Sequence, residues 1–150
     1  MSSTEADLDI GYEISTDQSR LDFDAIHAYL TRSYWSPGIP MVTVEKAAKH
    51  SLCFGVYEKA TGAQVGFARV VTDHATFAYL CDVYVLEEHR GHGLGKRMMR
   101  EVMAHPALTG ARRIMLATRD AHGLYRQSGF TVAGSLGNLM EVVRSDMYRA

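Results

Sequence analysis

Three glycines at alternate positions, Gly91, Gly93 and Gly95, stand among basic residues in the stretch HRGHGLGKRMM, residues 89–99. An apolar run ending at Leu86 precedes them and an amphipathic segment follows, so a strand is expected to pass into a helix here. The first backbone amides of a helix have no partner within it, and the helix dipole adds partial positive charge. Glycines let such amides approach a phosphate closely. The residue types therefore favour an anion site, although a flexible glycine-rich turn has the same composition.

Two familiar phosphate motifs have a different spacing. A P-loop needs glycine five residues before its Gly-Lys-Ser/Thr, whereas Gly95 and Lys96 are followed by Arg97 and preceded at that distance by Arg90. The dinucleotide fingerprint needs its third glycine where this chain has Lys96. The pattern that the stretch does contain is Arg-x-x-Gly-x-Gly, formed by Arg90, Gly93 and Gly95.

A single carboxylate interrupts the apolar strand upstream of the glycines. Asp82 is the only charged residue in the run Phe77–Leu86. A carboxylate in a central strand is costly unless it has a partner, so two interpretations remain. Asp82 either lines a cavity or forms a salt bridge with a neighbouring basic residue. Glu87 and Glu88 follow the strand and are expected in solvent.

A second motif lies downstream and, with the first, resembles a known family. The strand ending in VYVLEEHR leads into Arg90, Gly93 and Gly95, and residues 120–130, DAHGLYRQSGF, have the spacing Ala-x-x-x-Tyr-x-x-x-Gly-Phe. Both segments resemble the signatures of the GNAT superfamily of acetyl-CoA-dependent N-acetyltransferases. The order of elements agrees with that superfamily from about residue 8 to residue 144.

The resemblance implies a reaction in which an amine attacks the thioester carbonyl of acetyl-CoA directly, within a ternary complex. Anchoring the co-substrate at points remote from the thioester makes the encounter effectively unimolecular, which is worth several kcal/mol. Many members of the superfamily have an asparagine where this chain has Thr118, so that contact is either lost or made by the threonine hydroxyl. The residues expected to hold acetyl-CoA are Val83, Tyr84, Val85, Arg90, Gly91, His92, Gly93, Leu94, Gly95, Lys96, Thr118, Ala121 and Tyr125.

The expected catalytic residues for this reaction are Tyr125 and Asp82. The leaving thiol has a pKa near 8.5, and a phenol of pKa about 10 can protonate the thiolate, so Tyr125 is the expected general acid. The alternative for Tyr125 is a core tyrosine on an amphipathic helix. An alkyl amine is protonated at neutral pH and must lose a proton before it attacks. Asp82 is expected to attract that amine or relay its proton.

The acceptor site is expected near the loop SYWSPGIP, residues 33–40. Tyr34 and Trp35 form an aromatic pair there that could hold an aromatic or cationic amine, or could pack onto the core instead. Asp73 and His74, in the turn before the strand at Thr76, are further candidates for this site. Of the acidic residues, Asp73 and Asp82 are both assigned to substrate binding.

The elements that position these residues follow the order β-α-α-β-β-β-α-β-α-β-β. This order predicts a single α/β (α+β) domain with a mixed, mostly antiparallel sheet of about six to seven strands and four helices. The GNAT-like domain is expected over residues 8–150, behind a disordered tail of residues 1–7. The helices are predicted over residues 22–32, 43–51, 94–104 and 121–128. The last two strands are predicted at GFTVAGS, residues 129–135, and LMEVVR, residues 139–144.

Composition excludes several classes of protein. The chain has 150 residues and a net charge of -1, which argues against a dedicated nucleic-acid binder. It has no apolar run long enough for a membrane span and begins without signal-peptide features, so a cytoplasmic enzyme is expected. Cys53 and Cys81 lie in apolar runs and are interpreted as free thiols. His89 and His92 straddle the glycine loop, so no metal site is expected.

The preferred function is therefore transfer of an acetyl group from acetyl-CoA to a primary amine, most simply on a small molecule. Two alternatives remain open, a protein acetyltransferase that acts on lysines or N-termini and a non-catalytic acyl-CoA-binding sensor. Exposed strand edges, together with the resemblance, make a homodimer plausible.

Overall fold

A five-stranded sheet forms the centre of the molecule, which a computed structural model describes over residues 11–134 and 136–148. The spatial order follows the sequence, with the first four strands antiparallel to their neighbours and the fifth parallel to the fourth. The strands are β1 (Tyr12–Ser15), β2 (Leu52–Glu58), β3 (Gln64–Thr72), β4 (Phe77–Val85) and β5 (Arg113–Leu116).

Helices cover both faces of the sheet. They are α1 (Phe23–Leu30), α2 (Met41–Lys49), α3 (Leu94–Ala104), α4 (Pro106–Thr109) and α5 (His122–Arg126). On one face, α1 and α2 bury side chains such as Ile26 and Val44 against Phe67 and Tyr84. On the other face, α3 buries Met98, Met99 and Val102 within a cluster that includes Phe54 and Leu80. Because both faces are covered, β2 and β3 are buried along most of their length.

Local signals explain where the helices begin. Asp22 caps α1, since its carboxylate accepts a hydrogen bond from the Ala25 amide, and Pro106 occupies the first turn of α4. The predicted start of α2 at Thr43 was wrong, because α2 begins at Met41 with Pro40 at its N-cap position. The predicted count of four helices was also wrong, since α4 is a separate single turn after α3.

The predicted count of six to seven strands was wrong as well. Within the described residues no strand follows β5, so neither 129–134 nor 139–144 is a strand. A strand forms only where its apolar side chains find a covered face, and here Val132, Met140 and Val142 are exposed. The predicted tail of residues 1–7, the predicted start of the domain at residues 8–10 and Ser135 lie outside the described residues. In the part of the chain that is described, no helix is long and apolar enough to cross a membrane.

Candidate active site

A cleft opens where β4 and β5 part. The two parallel strands are paired from Phe77 and Arg113 as far as Leu80 and Leu116. Beyond that point β5 has ended, whereas β4 continues to Val85. A cavity of about 880 Å³ fills the gap, with the continuation of β4 on one side and residues 117–121 on the other. Because β5 ends first, the backbone amides and carbonyls of the last residues of β4 face a space that can hold a ligand.

A β-bulge lies in β4 at the mouth of this cleft. Phe67 pairs with Tyr84 and Arg69 pairs with Cys81, so that two residues of β4, Asp82 and Val83, face one residue of β3. Asp82 has a φ of 55°, in the left-handed region that aspartate tolerates better than most residues. A bulge leaves backbone groups outside the ladder. The bulge therefore frees main-chain donors and acceptors on the segment expected to contact the co-substrate.

Asp82 itself has two side-chain partners. Its Oδ2 accepts a hydrogen bond of 2.8 Å from Nε of Arg69, and its Oδ1 accepts one of 2.9 Å from the Trp35 indole N–H. The ion pair is largely buried, with 20% of the Arg69 side chain and 10% of the Asp82 side chain exposed. Of the two interpretations left open by the sequence, this geometry favours the salt bridge, on the wall of a cavity.

The glycine loop has the features of an anion site at the start of α3. Gly93 occupies the N-cap position with a φ of 74°, and no side chain caps the helix. Gly91 also has a positive φ, of 87°. Leu94, Gly95 and Lys96 are the first residues of α3, and their amides have no acceptor within the helix. Uncapped amides at a positive helix terminus fit an anionic group such as a diphosphate.

Two arginines brace this loop against the sheet. Arg90 donates from Nε to the Val85 carbonyl at 3.0 Å and from Nη2 to the Tyr29 hydroxyl at 3.1 Å. Arg97 donates to the Tyr12 carbonyl at 3.1 Å. His92 is exposed and its ring lies beside Tyr12. The loop is therefore fixed by contacts with three other elements before any ligand binds.

Tyr125 lines the cleft from α5 and is part of the core cluster beneath the sheet. Its side chain is 8% exposed and contacts Phe130 edge to face. Burial raises the pKa of the Tyr125 phenol, with smaller contributions from Tyr34 and Asp120. The phenol therefore keeps its proton at neutral pH and has the protonation state that a general acid needs. Ala121 begins the turn into α5, and its amide donates to Thr118 Oγ1 at 3.0 Å, so the threonine also supports that turn.

The loop between α1 and α2 contributes two aromatic rings to the lining of the cleft. Tyr34 and Trp35 are 48% and 38% exposed and meet edge to face. The guanidinium of Arg119, just beyond β5, lies 3.8 Å from the centre of the Tyr34 ring. The loop thus contacts both sides of the cleft, through Trp35 on Asp82 of β4 and through Tyr34 on Arg119.

Asp73 is placed elsewhere. It lies in the turn between β3 and β4, where its carboxylate accepts hydrogen bonds from the amides of Ala75, Thr76 and Phe77 and from the Thr76 hydroxyl. The Thr76 hydroxyl, followed by these amides, lowers the pKa of the exposed Asp73 carboxyl. Asp73 does not line the cleft, so the structure does not bring it to the other site residues. Its carboxylate stabilises the turn.

Cys81 lines the cleft but is not activated. Burial raises the pKa of its thiol to about 12, and burial raises that of Cys53 to about 11. Thiolates are the nucleophilic form of cysteine, so both side chains are inert thiols near neutral pH. Within the described residues, no cluster of three or more histidine, cysteine, aspartate or glutamate side chains could hold a metal ion.

Sequence reasoning missed Arg69 and Arg119. Arg69 is the only charged residue of β3, which is the same signal that singled out Asp82 in β4. The two signals point to one ion pair only when the register of β3 against β4 is known. Arg119 follows Thr118 directly, but nothing in the local pattern relates it to the loop at residue 34.

The chain is similar to known proteins over most of its length. A model of the acetyltransferase (GNAT) family matches residues 15–130. A candidate acetyltransferase of Gibberella zeae is 38% identical, over 76% of this chain and 75% of that protein. The crystal structure of a candidate GNAT acetyltransferase from Xanthomonas campestris pv. campestris is 50% identical, with a TM-score of 0.88 over 93% of this chain and 97% of that one.

A more distant structure shares the fold. A candidate acetyltransferase from Clostridium acetobutylicum, solved with acetyl-CoA, is 14% identical, with a TM-score of 0.62 over 88% of this chain and 94% of that chain. At that identity the likeness concerns the arrangement of the strands and helices.

Proposed function

Because this chain belongs to the acetyltransferase (GNAT) family, we propose that it transfers the acetyl group of acetyl-CoA to the primary amine of a small molecule. The observation that carries the proposal is the single cleft that joins an uncapped helix terminus, a bulged strand and a buried phenol. These three parts match the three needs of the reaction, which are an anchor for phosphate, a contact for the pantetheine arm and a proton for the leaving thiolate.

The residues present fit acetyl-CoA as a co-substrate. The amides of Leu94, Gly95 and Lys96 would hold the diphosphate, with Gly91 and Gly93 giving the loop its left-handed turns. The backbone of Val83–Val85 would contact the pantetheine arm, although the Val85 carbonyl already accepts from Arg90. When bound, the thioester supplies the activated acetyl group. The chain's contribution is to place that group beside the amine and away from water.

Tyr125 is the proposed general acid. It lines the same cleft as Tyr34 and Trp35, from the α5 side. Its protonated phenol donates to the sulfur as the carbon–sulfur bond breaks, which gives free CoA and an amide. The inert thiol of Cys81 supports direct attack by the amine, because an acyl-cysteine route would need a thiolate.

In this proposal Asp82 does not act as a free base. Both of its oxygens accept hydrogen bonds, one from Arg69 and one from Trp35, so the carboxylate is held in place by two donors. Its remaining lone pairs can still orient an ammonium group that enters the cleft. We assign it to acceptor binding and to the support of the aromatic loop.

The test is a thiol-release assay with acetyl-CoA and a panel of small amines, with the acetylated product identified by mass spectrometry. We expect turnover of at least one small amine and little on a lysine-containing peptide. Turnover of the peptide alone would place the chain among protein acetyltransferases. Binding of acetyl-CoA by calorimetry without turnover of any amine would indicate a sensor, and absence of binding would contradict the proposal.

For assembly we propose a homodimer. Within the described residues β5 pairs with β4 only, so its other edge has no strand beside it. Exposed apolar side chains are concentrated in residues 132–148, with Met140 97% and Val142 80% exposed. An open edge and exposed apolar side chains in one region favour association of two copies. Sedimentation velocity over a concentration series tests this, and a single monomeric species at every concentration would contradict it.

A further inference from the structure

We propose that Arg69 is a positioning residue for the acceptor. Through its ion pair with Asp82 it fixes the carboxylate that holds the Trp35 indole, and so sets an aromatic wall that selects an amine with an aromatic body. The proposal rests on the function proposed above and names the class of substrate for the same cleft. Arg69 itself does not line the cleft, so it acts through its neighbours.

The first step is the chain of hydrogen bonds that runs from the sheet to the loop. Ser51 Oγ accepts from Nη1 of Arg69 at 3.1 Å, Nε of Arg69 donates to Asp82 at 2.8 Å, and Asp82 accepts from the indole of Trp35 at 2.9 Å. Arg69 is thus held at two points, on Ser51 and on the bulge of β4. A guanidinium with two fixed donors transmits position better than a flexible ammonium does.

The second step concerns the faces of Trp35. The hydrogen bond to Asp82 uses the edge of the indole, so it fixes the ring without covering its faces. Tyr34 meets the indole edge to face, with ring centroids 5.1 Å apart and an interplanar angle of 84°. Trp35 nevertheless remains 38% exposed and lines the cleft. A fixed and partly exposed aromatic ring in a ligand cleft offers a stacking surface.

The third step decides between an aromatic acceptor and a polycation. Arg32 lies 4.3 Å from the centre of the Tyr29 ring and Arg119 lies 3.8 Å from that of Tyr34. Cations therefore already occupy one face of each tyrosine, and Arg90 adds a third guanidinium to the cleft wall. Two carboxylates, Asp82 and Asp120, also line the cleft. Asp82 is paired with Arg69, and Arg32 is paired with Glu87. Guanidiniums therefore outnumber carboxylates on the cleft lining, which disfavours an acceptor with several positive charges, whereas a monoamine with an aromatic body gains from stacking.

The experiment compares two acceptors, 2-phenylethylamine and n-hexylamine, which are both primary monoamines but differ in aromaticity. We expect the wild-type kcat/KM to favour 2-phenylethylamine by about fivefold, the range that one aromatic contact provides beyond its buried area. The Arg69→Met variant is expected to lose this preference, mainly through a higher KM for the aromatic amine. Arg69→Lys, which keeps the charge without the two-point fork, should restore part of it.

Fluorescence gives a readout that does not depend on turnover. Trp35 is the only tryptophan in the chain, so the emission of the protein reports on this ring alone. We expect 2-phenylethylamine to quench the emission saturably in the wild type, and more weakly in Arg69→Met, whose emission maximum should itself shift. If Arg69→Met does not fold, Trp35→Phe and Arg69→Lys test the same preference by kinetics, since phenylalanine keeps a ring but cannot donate to Asp82.

Arg20→Met is the matched control. Arg20 also pairs with an acid, Glu13, and stacks on a tyrosine, but it is exposed and lies outside the cleft. We expect it to leave the amine preference and the Trp35 emission unchanged. Equal wild-type kcat/KM for the two amines, or an Arg69→Met variant with wild-type preference and emission, would overturn this inference and leave the acetyltransferase proposal standing. If no amine turns over, that proposal fails, and saturable quenching still decides whether the aromatic subsite exists.

Discussion

At the scale of single residues, the environment of Tyr125 determines how catalysis should depend on pH. Burial, with Tyr34 and Asp120, raises the phenol pKa, and a general acid works only while it is protonated. Tyr125 is therefore almost fully protonated throughout the range from pH 7 to 9, which lies below the usual phenol pKa of about 10. Tyr125→Phe should lower kcat by about 100-fold across this range, with the Kd for acetyl-CoA within about twofold of wild type. Steady-state kinetics from pH 7 to 9 and calorimetry measure both.

Tyr57→Phe is the control for Tyr125. Tyr57 is also buried, burial raises its pKa, and it does not line the cleft. Its variant should keep the wild-type kcat. A wild-type kcat for Tyr125→Phe would contradict the proposal that Tyr125 is the general acid. Tyr125 would then be a core residue packed on Phe130.

The same scale shows how far residue types alone can reach. Asp82 stands out in the sequence because it is the one charge in an apolar strand. Its partner could not be assigned, because Arg69 pairs with Cys81 in register and meets Asp82 only through the bulge. A bulge depends on contacts between strands, and the strand pattern of β4 contains no local mark of it. The hydrogen bond from Trp35 to Asp82 could not be predicted either, because it joins residues 47 positions apart that only the fold brings together.

At the scale of elements, the N-terminus of α3 makes a prediction about charge. Gly93 has a φ of 74°, so either alanine or glutamate there adds backbone strain of about 1–2 kcal/mol. Glutamate also adds an anion at the proposed diphosphate site. We expect Gly93→Ala to weaken acetyl-CoA binding modestly and Gly93→Glu to weaken it by at least about tenfold more, as measured by calorimetry. Comparing the two variants separates charge from strain.

Gly62 provides the matched pair for that comparison. It has a φ of 75° in the turn between β2 and β3, and a Cβ there would contact nothing within 4 Å. Gly62→Ala and Gly62→Glu carry similar backbone strain far from the cleft and should bind acetyl-CoA as the wild type does. If Gly93→Glu bound as tightly as Gly93→Ala, the glycine loop would be a turn without an anion site.

Elements with a clear period and clear boundaries were the ones that sequence predicted well. The glycine loop followed by α3 is one example, since Leu94, Met98 and Val102 recur every four residues and all are buried. The segment 139–144 was misassigned because an apolar run of this length has no period that distinguishes a strand from exposed coil. Whether such a run joins a sheet depends on a partner edge. β5, with four residues, offers a short one, and the segment does not pair with it.

At the scale of the whole molecule, binding and folding are linked, and this provides a test of the co-substrate that needs no acceptor amine. A ligand that binds only the folded chain stabilises it by about 2.7 kcal/mol at 100 times its Kd. For a domain of this size, each kcal/mol raises Tm by about 2–4 °C, so saturating acetyl-CoA should raise Tm by about 5–10 °C.

CoA should give a similar rise because it shares the diphosphate and pantetheine arm, whereas ATP should give little. At the same concentration Gly93→Glu should lose at least about half of the rise, and Tyr125→Phe should keep it, because only the former carries its substitution at the proposed anchor. A folded wild type whose Tm does not respond to acetyl-CoA would contradict the co-substrate, and an equal response to ATP would reduce the site to a general anion site at the start of α3.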